Sequence, residues 1–455
     1  MRSPVVVATS NRDAPARRPV ADLSALAEPR IRISGHVVDV APQSFRVAGL
    51  SPFVRLGDCI VCDGPQGEEL GEVVRVEEHA ATVKPFAVRF QSGVRTLAWK
   101  TGPVTVSPAR SWKGRTIDAF GRPCDDLGPI ETGPVAYLTD TLPEAAMRRG
   151  RIKDPVATQV KAIDIFTPLV RGQRMGIFAG SGVGKSTLMG MLARAEGFDT
   201  VVVALVGERG REVREFLEET MRGELSRVVT VVATGDESAM MRRLAPKTAM
   251  TVAEYFRDQG DHVLLIVDSV TRLAHAARDV ALAAGEPPVA RGYPPSVFSE
   301  LPRLLERAGP GAEGAGTITG LFAVLVDGDD HNEPVADAIR GTLDGHIVLD
   351  RAIAEEGRFP AIDVLKSISR LADLAWTPEE RELVTRLRSM IARFEDTRDL
   401  RLLGGYGRGA DATLDQAVDL VPHVYGCLIQ HPGDEPVPKP FDELSRRLKA
   451  GMSGG

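Results

Sequence analysis

Apolar residues change their rhythm along this chain, and each rhythm predicts a different architecture. From Ile31 to about Phe90 they fall in short segments, "HVVDV", "SFRVAGL", "GEVVRVEE" and "ATVKPF", each bounded by Gly, Pro or Asp. Short β-rich segments with turn residues between them predict a small β-barrel. From Asp154 to about Arg370 the runs become continuous and of strand length, "MGIFA", "TVVVALV", "RVVTVVAT", "HVLLIVD" and "TITGLFAVLV", with helical stretches between them. A strand apolar at nearly every position is buried on both faces, so this section reads as a parallel sheet covered by crossover helices. From Thr377 the charged, leucine-spaced "PEERELVTRLRSMIARFEDTRDLRLL" reads as helix, and a Pro- and Gly-rich tail closes the chain. Residues 1 to about 28 hold prolines, arginines and a short "VADLSALAE". That segment reads as a disordered tail or as a docking helix for a partner.

Composition narrows the function classes. A chain of 455 residues has room for about three domains of roughly 150 residues each. No apolar run approaches a membrane span, and the N-terminal run is too short for a signal peptide, so the protein is expected to stay in the cytoplasm. The 56 basic against 62 acidic residues leave a net charge of −6, which argues against nucleic acid as the main partner. Cys59 and Cys62 form a C-x-x-C, but no second pair or histidine cluster lies nearby to complete a metal site, and they read as ordinary strand residues.

The chemistry begins at "GIFAGSGVGKSTLMGML", Gly176 to Leu192. A phosphate-binding loop needs successive backbone N–H groups curled round an anion, a lysine for the outer phosphates and a hydroxyl for Mg²⁺. Gly180, Ser181, Gly182, Val183 and Gly184 form the curl; Lys185, Ser186 and Thr187 follow in the required order, and Ala179 stands where the consensus opens with glycine. ATP is the expected ligand. The strand "HVLLIVD" ends in Asp268, a carboxylate placed to hold the Mg²⁺ shell together with Ser186. A third run, "VVVALVGERGREVREFLEE", leaves its strand at Gly207 and presents Glu208 at the same edge. Glu208 there can polarise the water that attacks the γ-phosphate, or it is a surface glutamate at a charged helix start.

Taken together, "GIFAGSGVGKST", "VGERGREVREF", "GYPPSVFSELPRLLERAG", "DDHNEPVADAIRGTLDGHIVLDR" and "FPAIDVLKSISR" resemble the rotary ATPase group, above all the flagellar and type III secretion export ATPases. Alanine at Ala179 is common in that family. The resemblance implies an α/β fold: a RecA-like P-loop ATPase core over 99–376, an N-terminal β-barrel over 29–98 and a C-terminal helical domain over 377–455, after the segment 1–28. It places Glu208 on the catalytic glutamate and Arg209 on the adjoining arginine near the γ-phosphate. Phe359 falls on the aromatic position that packs on adenine, and otherwise reads as a core phenylalanine. Arg370 falls on the arginine that one subunit extends into its neighbour's site, a role its local sequence does not announce.

The implied protein is a Mg²⁺-dependent ATPase ring, a hexamer of identical chains, energising flagellar protein export from the cytoplasmic side of the inner membrane. The implied partners are a stator-like regulatory protein, a central stalk protein, export chaperones and substrates, and the membrane export gate. The injectisome ATPase shares every residue named. A non-catalytic regulatory subunit is disfavoured by Glu208. An RNA translocase would need stacking aromatics in its entry domain, whereas residues 31–90 carry only Phe45, Phe53, Phe86 and Phe90 and no Trp or Tyr.

Overall fold

A computed structural model describes residues 32–220, 225–326 and 333–453. The "VADLSALAE" stretch therefore lies outside the described residues.

The N-terminal unit is a closed six-stranded antiparallel barrel. Its strands are Ser34–Ala41, Ser44–Ala48, Asp58–Gly64, Gly67–Val76, Ala80–Pro85 and Leu97–Pro103, and the first closes onto the last. Its last strand crosses residue 98. Val37, Phe45, Val47, Ile60, Cys62, Val73 and Val83 fill the interior. Cys59 and Cys62 share the Asp58–Gly64 strand, and three residues apart on a strand means opposite faces. Cys62 joins the barrel core while Cys59 packs into the core of the next domain, and burial pushes both thiols up to about 12. They cannot share a metal ion.

The central domain carries a twisted sheet. From one side to the other its strands are Ile368–Ser369, Gly345–Leu349, Arg174–Ala179, Thr317–Leu325, His262–Asp268, Thr200–Val206, Val228–Ala233 and Thr116–Ile117. The pairs from Gly345–Leu349 across to Thr116–Ile117 are parallel, and the edge strand Ile368–Ser369 runs antiparallel. In Thr200–Val206, residues Val201, Val203 and Leu205 enter one hydrophobic core and Val202, Ala204 and Val206 the other. Burial on both faces explains why these strands read as unbroken apolar runs. The strand Gly345–Leu349 is not among the apolar runs of the sequence: Gly345 and His346 leave it an apolar stretch of only Ile347–Leu349.

Thr377 opens the C-terminal region with a capping box to Glu380 at the start of helix Pro378–Asp396. The tail read as Pro- and Gly-rich contains two further helices, Ala412–Leu428 and Pro440–Ser453. Asp411 caps the first through the N–H groups of Thr413 and Leu414, and Pro440 sits at the start of the second, where a missing N–H costs nothing. Leu387, Met390, Val421, Val424 and Leu444 join the hydrophobic core that contains Ile177 and Ala179 of the central strand. The helical region is thus built onto the sheet face nearest the loop. No described helix is long and apolar enough to cross a membrane.

Candidate active site

Parallel strands deliver their C-terminal ends to one edge of a sheet, and ligands of open α/β folds bind there. At that edge the strand Arg174–Ala179 turns through Gly180–Gly184 into helix Lys185–Ala193. Gly182 has φ +78° and Gly184 φ +92°, the left-handed region that a Cβ obstructs. Gly180 and Val183 are buried and anchor the turn, while Ser181, Ser186 and Thr187 face solvent. Arg351 donates to the Ser181 carbonyl at 3.3 Å. The turn and the helix N-terminus together direct N–H groups outward, a cradle for phosphates.

Lys185 forms an ion pair with Asp268, which ends its strand and is 3% exposed. A buried carboxylate needs a compensating cation, and the ammonium supplies it. Oxygen donors from Ser186 and Asp268 suit a hard divalent cation, so this donor set fits Mg²⁺.

Glu208 follows Gly207, whose φ of +71° swings the chain off its strand. The Gly207 N–H donates to the Ala233 carbonyl at 2.7 Å, and the Glu208 carbonyl accepts from the Gly235 N–H at 2.9 Å. These bonds fix the Glu208 backbone beside Asp268, whose strand is the next one over. Its carboxyl is pushed up to about 7, by burial first and then by the charge of Asp268, while Lys185 and Arg272 pull the other way. It also shares a hydrogen bond with Glu212. A carboxyl poised near neutrality is suited to proton transfer.

Two residues were not picked out from the sequence. Arg272, four positions after Asp268, packs so closely on Gly207 that a Cβ there would meet its side chain at 3.1 Å. Its signal was its place on the first turn after the Asp268 strand, where Ser269 caps the helix by accepting from the Arg272 N–H. Glu212 sits one helical turn from Glu208.

Phe359 lies at the loop: an ideal Cβ on Gly184 would stand 3.7 Å from its ring, which is 38% exposed. Arg209 turns outward, because as the residue before helix Gly210–Glu215 it is extended; its side chain is 78% exposed and pairs with Glu212 at 3.6 Å. Arg370 stands apart altogether. Its N–H donates to the Asp344 carbonyl at 2.9 Å, at the start of strand Gly345–Leu349, the edge opposite the loop. Five residues of strand separate the two edges, about 16 Å.

Comparison with known proteins bears on the whole chain. The ATP synthase alpha/beta family, nucleotide-binding domain, matches residues 159–369, and the C-terminal domain of the type III secretion ATPase EscN matches 376–450. The flagellum-specific ATP synthase of Rhizobium meliloti (strain 1021) is 57% identical over 420 residues, 92% of this chain and 90% of the relative. This chain belongs to the flagellar and type III secretion ATPase family. The assembled ATPase EscN from the enteropathogenic E. coli type III secretion system superposes with a TM-score of 0.86 at 39% identity, covering 91% of this chain and 100% of that one. EscN in complex with its central stalk EscO gives 0.81 at 38% identity, with 92% and 99% covered. The RecA-like core, barrel and C-terminal helices are therefore those of this ATPase family, and the loop of Gly180–Thr187 lies inside its nucleotide-binding domain.

Proposed function

We propose that this chain is the ATP-hydrolysing ring motor of flagellar protein export. The carrying observation is the meeting of Lys185, Asp268 and Glu208 at one edge of the sheet, with Glu208 held close to neutrality. The flagellum-specific relative at 57% identity favours the flagellar system over the injectisome, whose EscN is 39% identical.

On ATP entry the Lys185 ammonium leaves Asp268 for the outer phosphates, and the backbone of Gly180–Gly184 cradles them. Ser186 and Asp268 would hold Mg²⁺, which neutralises phosphate charge and orients the γ-phosphoryl group when bound. Glu208 orients the attacking water and accepts its proton. Loss of the Lys185–Asp268 contact alters the field that sets the Glu208 carboxyl, so substrate binding and base strength are linked. Arg209, freed from Glu212, faces the outer phosphate, and Phe359 stacks on adenine. Arg370 is out of reach of its own loop and serves the site of a neighbouring copy, so six copies in a ring complete six sites.

The partners in this reading are a stator-like regulatory protein, a central stalk protein as in the EscN–EscO assembly, chaperones with their substrates, and the export gate at the inner membrane. The test is phosphate release by the purified chain with Mg²⁺ and capture of partners from the source cell. ATP turnover lost in Glu208→Gln, with flagellar chaperones captured, supports the reading. Injectisome components or RNA in their place overturn the flagellar assignment.

A further inference from the structure

The loop that carries Phe359 is gripped from the C-terminal helices. Gln430 follows helix Ala412–Leu428 and is 5% exposed. Its N–H donates to the Phe359 carbonyl at 2.8 Å. Its side-chain oxygen accepts from the Lys161 N–H at 3.0 Å, and its side-chain nitrogen donates to the Gln159 carbonyl at 2.7 Å. Gln159 is itself fixed at φ +64°, with the Asp164 carboxylate accepting from its N–H at 3.0 Å and from the Thr158 N–H and hydroxyl at 2.8 and 2.7 Å. One residue therefore joins the C-terminal helices, the Phe359 loop and the segment that leads into the central strand.

The same helix grips the loop a second time. The Tyr425 ring lies 3.9 Å from the Arg358 guanidinium, and its hydroxyl donates to Glu395 at 2.5 Å. Between helix and loop remains a cavity of about 20 Å³ lined by Phe359, Pro360, Tyr425, Leu428 and Ile429 among others. That is room for no more than about one water. The contact is tight, so the loop cannot shift without the helix.

We propose that Gln430, supported by Tyr425, is a positioning residue for the base end of the nucleotide: it holds the Phe359 ring over Gly184 and ties base recognition to the placement of the C-terminal helices. The proposal rests on the assignment of Phe359 to adenine. A residue acting through the base contact affects ATP but not a ligand that lacks a base. A residue that merely holds the fold together affects both alike.

The experiment titrates the full chain, with Mg²⁺, by calorimetry with ATP and with inorganic triphosphate. Gln430→Met keeps the side-chain length and the backbone N–H that donates to the Phe359 carbonyl, and removes the two side-chain hydrogen bonds, to Lys161 and Gln159, that hold that N–H in place. It is expected to weaken ATP about tenfold and leave triphosphate within about twofold. Tyr425→Leu leaves the buried bonds of Gln430 in place and is expected to weaken ATP about threefold, again selectively; it carries the test if Gln430→Met does not fold. Phe359→Ala should show the same selectivity, and Gln430→Met added to it should cost nothing further. Equal losses for both ligands, or ATP binding unchanged in both Gln430→Met and Tyr425→Leu, overturn the proposal. Undiminished ATP binding in Phe359→Ala overturns the adenine assignment itself.

Discussion

The two edges of the central sheet differ in how their charged groups are partnered. At the carboxyl edge Lys185, Asp268 and Glu208 come together within a single chain, and each answers a charge on another: Lys185 compensates Asp268, and Asp268 helps push Glu208 up to about 7. At the amino edge Arg370 is exposed beside Asp344, and its side chain has no ion-pair partner among the described residues. The first edge is a coupled electrostatic unit whose cations already have partners there: Lys185 answers Asp268, Arg272 acts on Glu208 and Arg209 pairs with Glu212. The second edge supplies a cation with nothing to act on. In the proposed reading the difference teaches that a single chain is chemically incomplete and that the group it lacks is the one carried on the far side of the same sheet.

The largest effect should come from the amino edge. Arginine fingers in related phosphoryl transfer are worth about 10³ to 10⁵ in rate, so Arg370→Ala should lose at least about 10³ in kcat with ATP affinity nearly kept. Phosphate release and binding of a fluorescent ATP analogue check this; high turnover in Arg370→Ala would dissolve the contrast between the edges. Glu208→Gln should cost about 10² to 10⁴ in kcat, the range for one general base, and should still bind ATP. Lys185→Ala should differ in kind by losing tight ATP binding. A Glu208→Gln variant that turns over normally would remove the base from the carboxyl edge.

The pH dependence is smaller. Below pH 7 the Glu208 carboxyl holds its proton and cannot accept another, so kcat/KM should rise with pH as it ionises. From pH 6 to pH 8 the ionised fraction grows from about a tenth to about nine tenths, an expected rise of about tenfold. Glu208→Gln should flatten this limb; a limb that persists in the variant belongs to another group. Smallest in kcat is Phe359→Ala, where loss of stacking worth about 1 to 3 kcal/mol should raise KM for ATP by about five- to 150-fold and leave kcat unchanged.

Legibility in the sequence follows the same division. The loop, Asp268 and Glu208 each sit at or just after the end of an apolar strand, so a local pattern located the elements and brought the three candidates to one edge. The five strands read from apolar runs are present because burial on both faces left them unmistakable. Gly345–Leu349 and Leu97–Pro103 escaped, the one because its apolar run is only Ile347–Leu349 and the other because the adjacent polar Lys100 and Thr101 interrupt it. The helices Ala412–Leu428 and Pro440–Ser453 were hidden by the prolines and glycines around them, since Pro422 sits within the first and Gly404–Gly409 precede it. Arg272 had only its place after the Asp268 strand as a signal, and Gln430 had none: it matters because Gln159, Lys161 and Phe359 converge on it from more than 70 residues away in the chain. Arg370 was picked out only through family resemblance, because an arginine after the two-residue strand Ile368–Ser369 carries no local signal of a role in a neighbour's site.

The most direct measurement mixes the two broken edges. Arg370→Ala and Glu208→Gln are each purified as monomers, combined, assembled with nucleotide and followed for phosphate release, with mixed rings verified by native mass spectrometry. An interface is whole when its pocket comes from the arginine variant and its finger from the glutamate variant. Equal random mixing makes about a quarter of interfaces whole, so activity should return at up to about a quarter of the unmodified rate, against at most about 10⁻² for either variant alone. No recovery at any ratio, in rings shown to be mixed, would contradict a site shared between opposite edges of neighbouring chains.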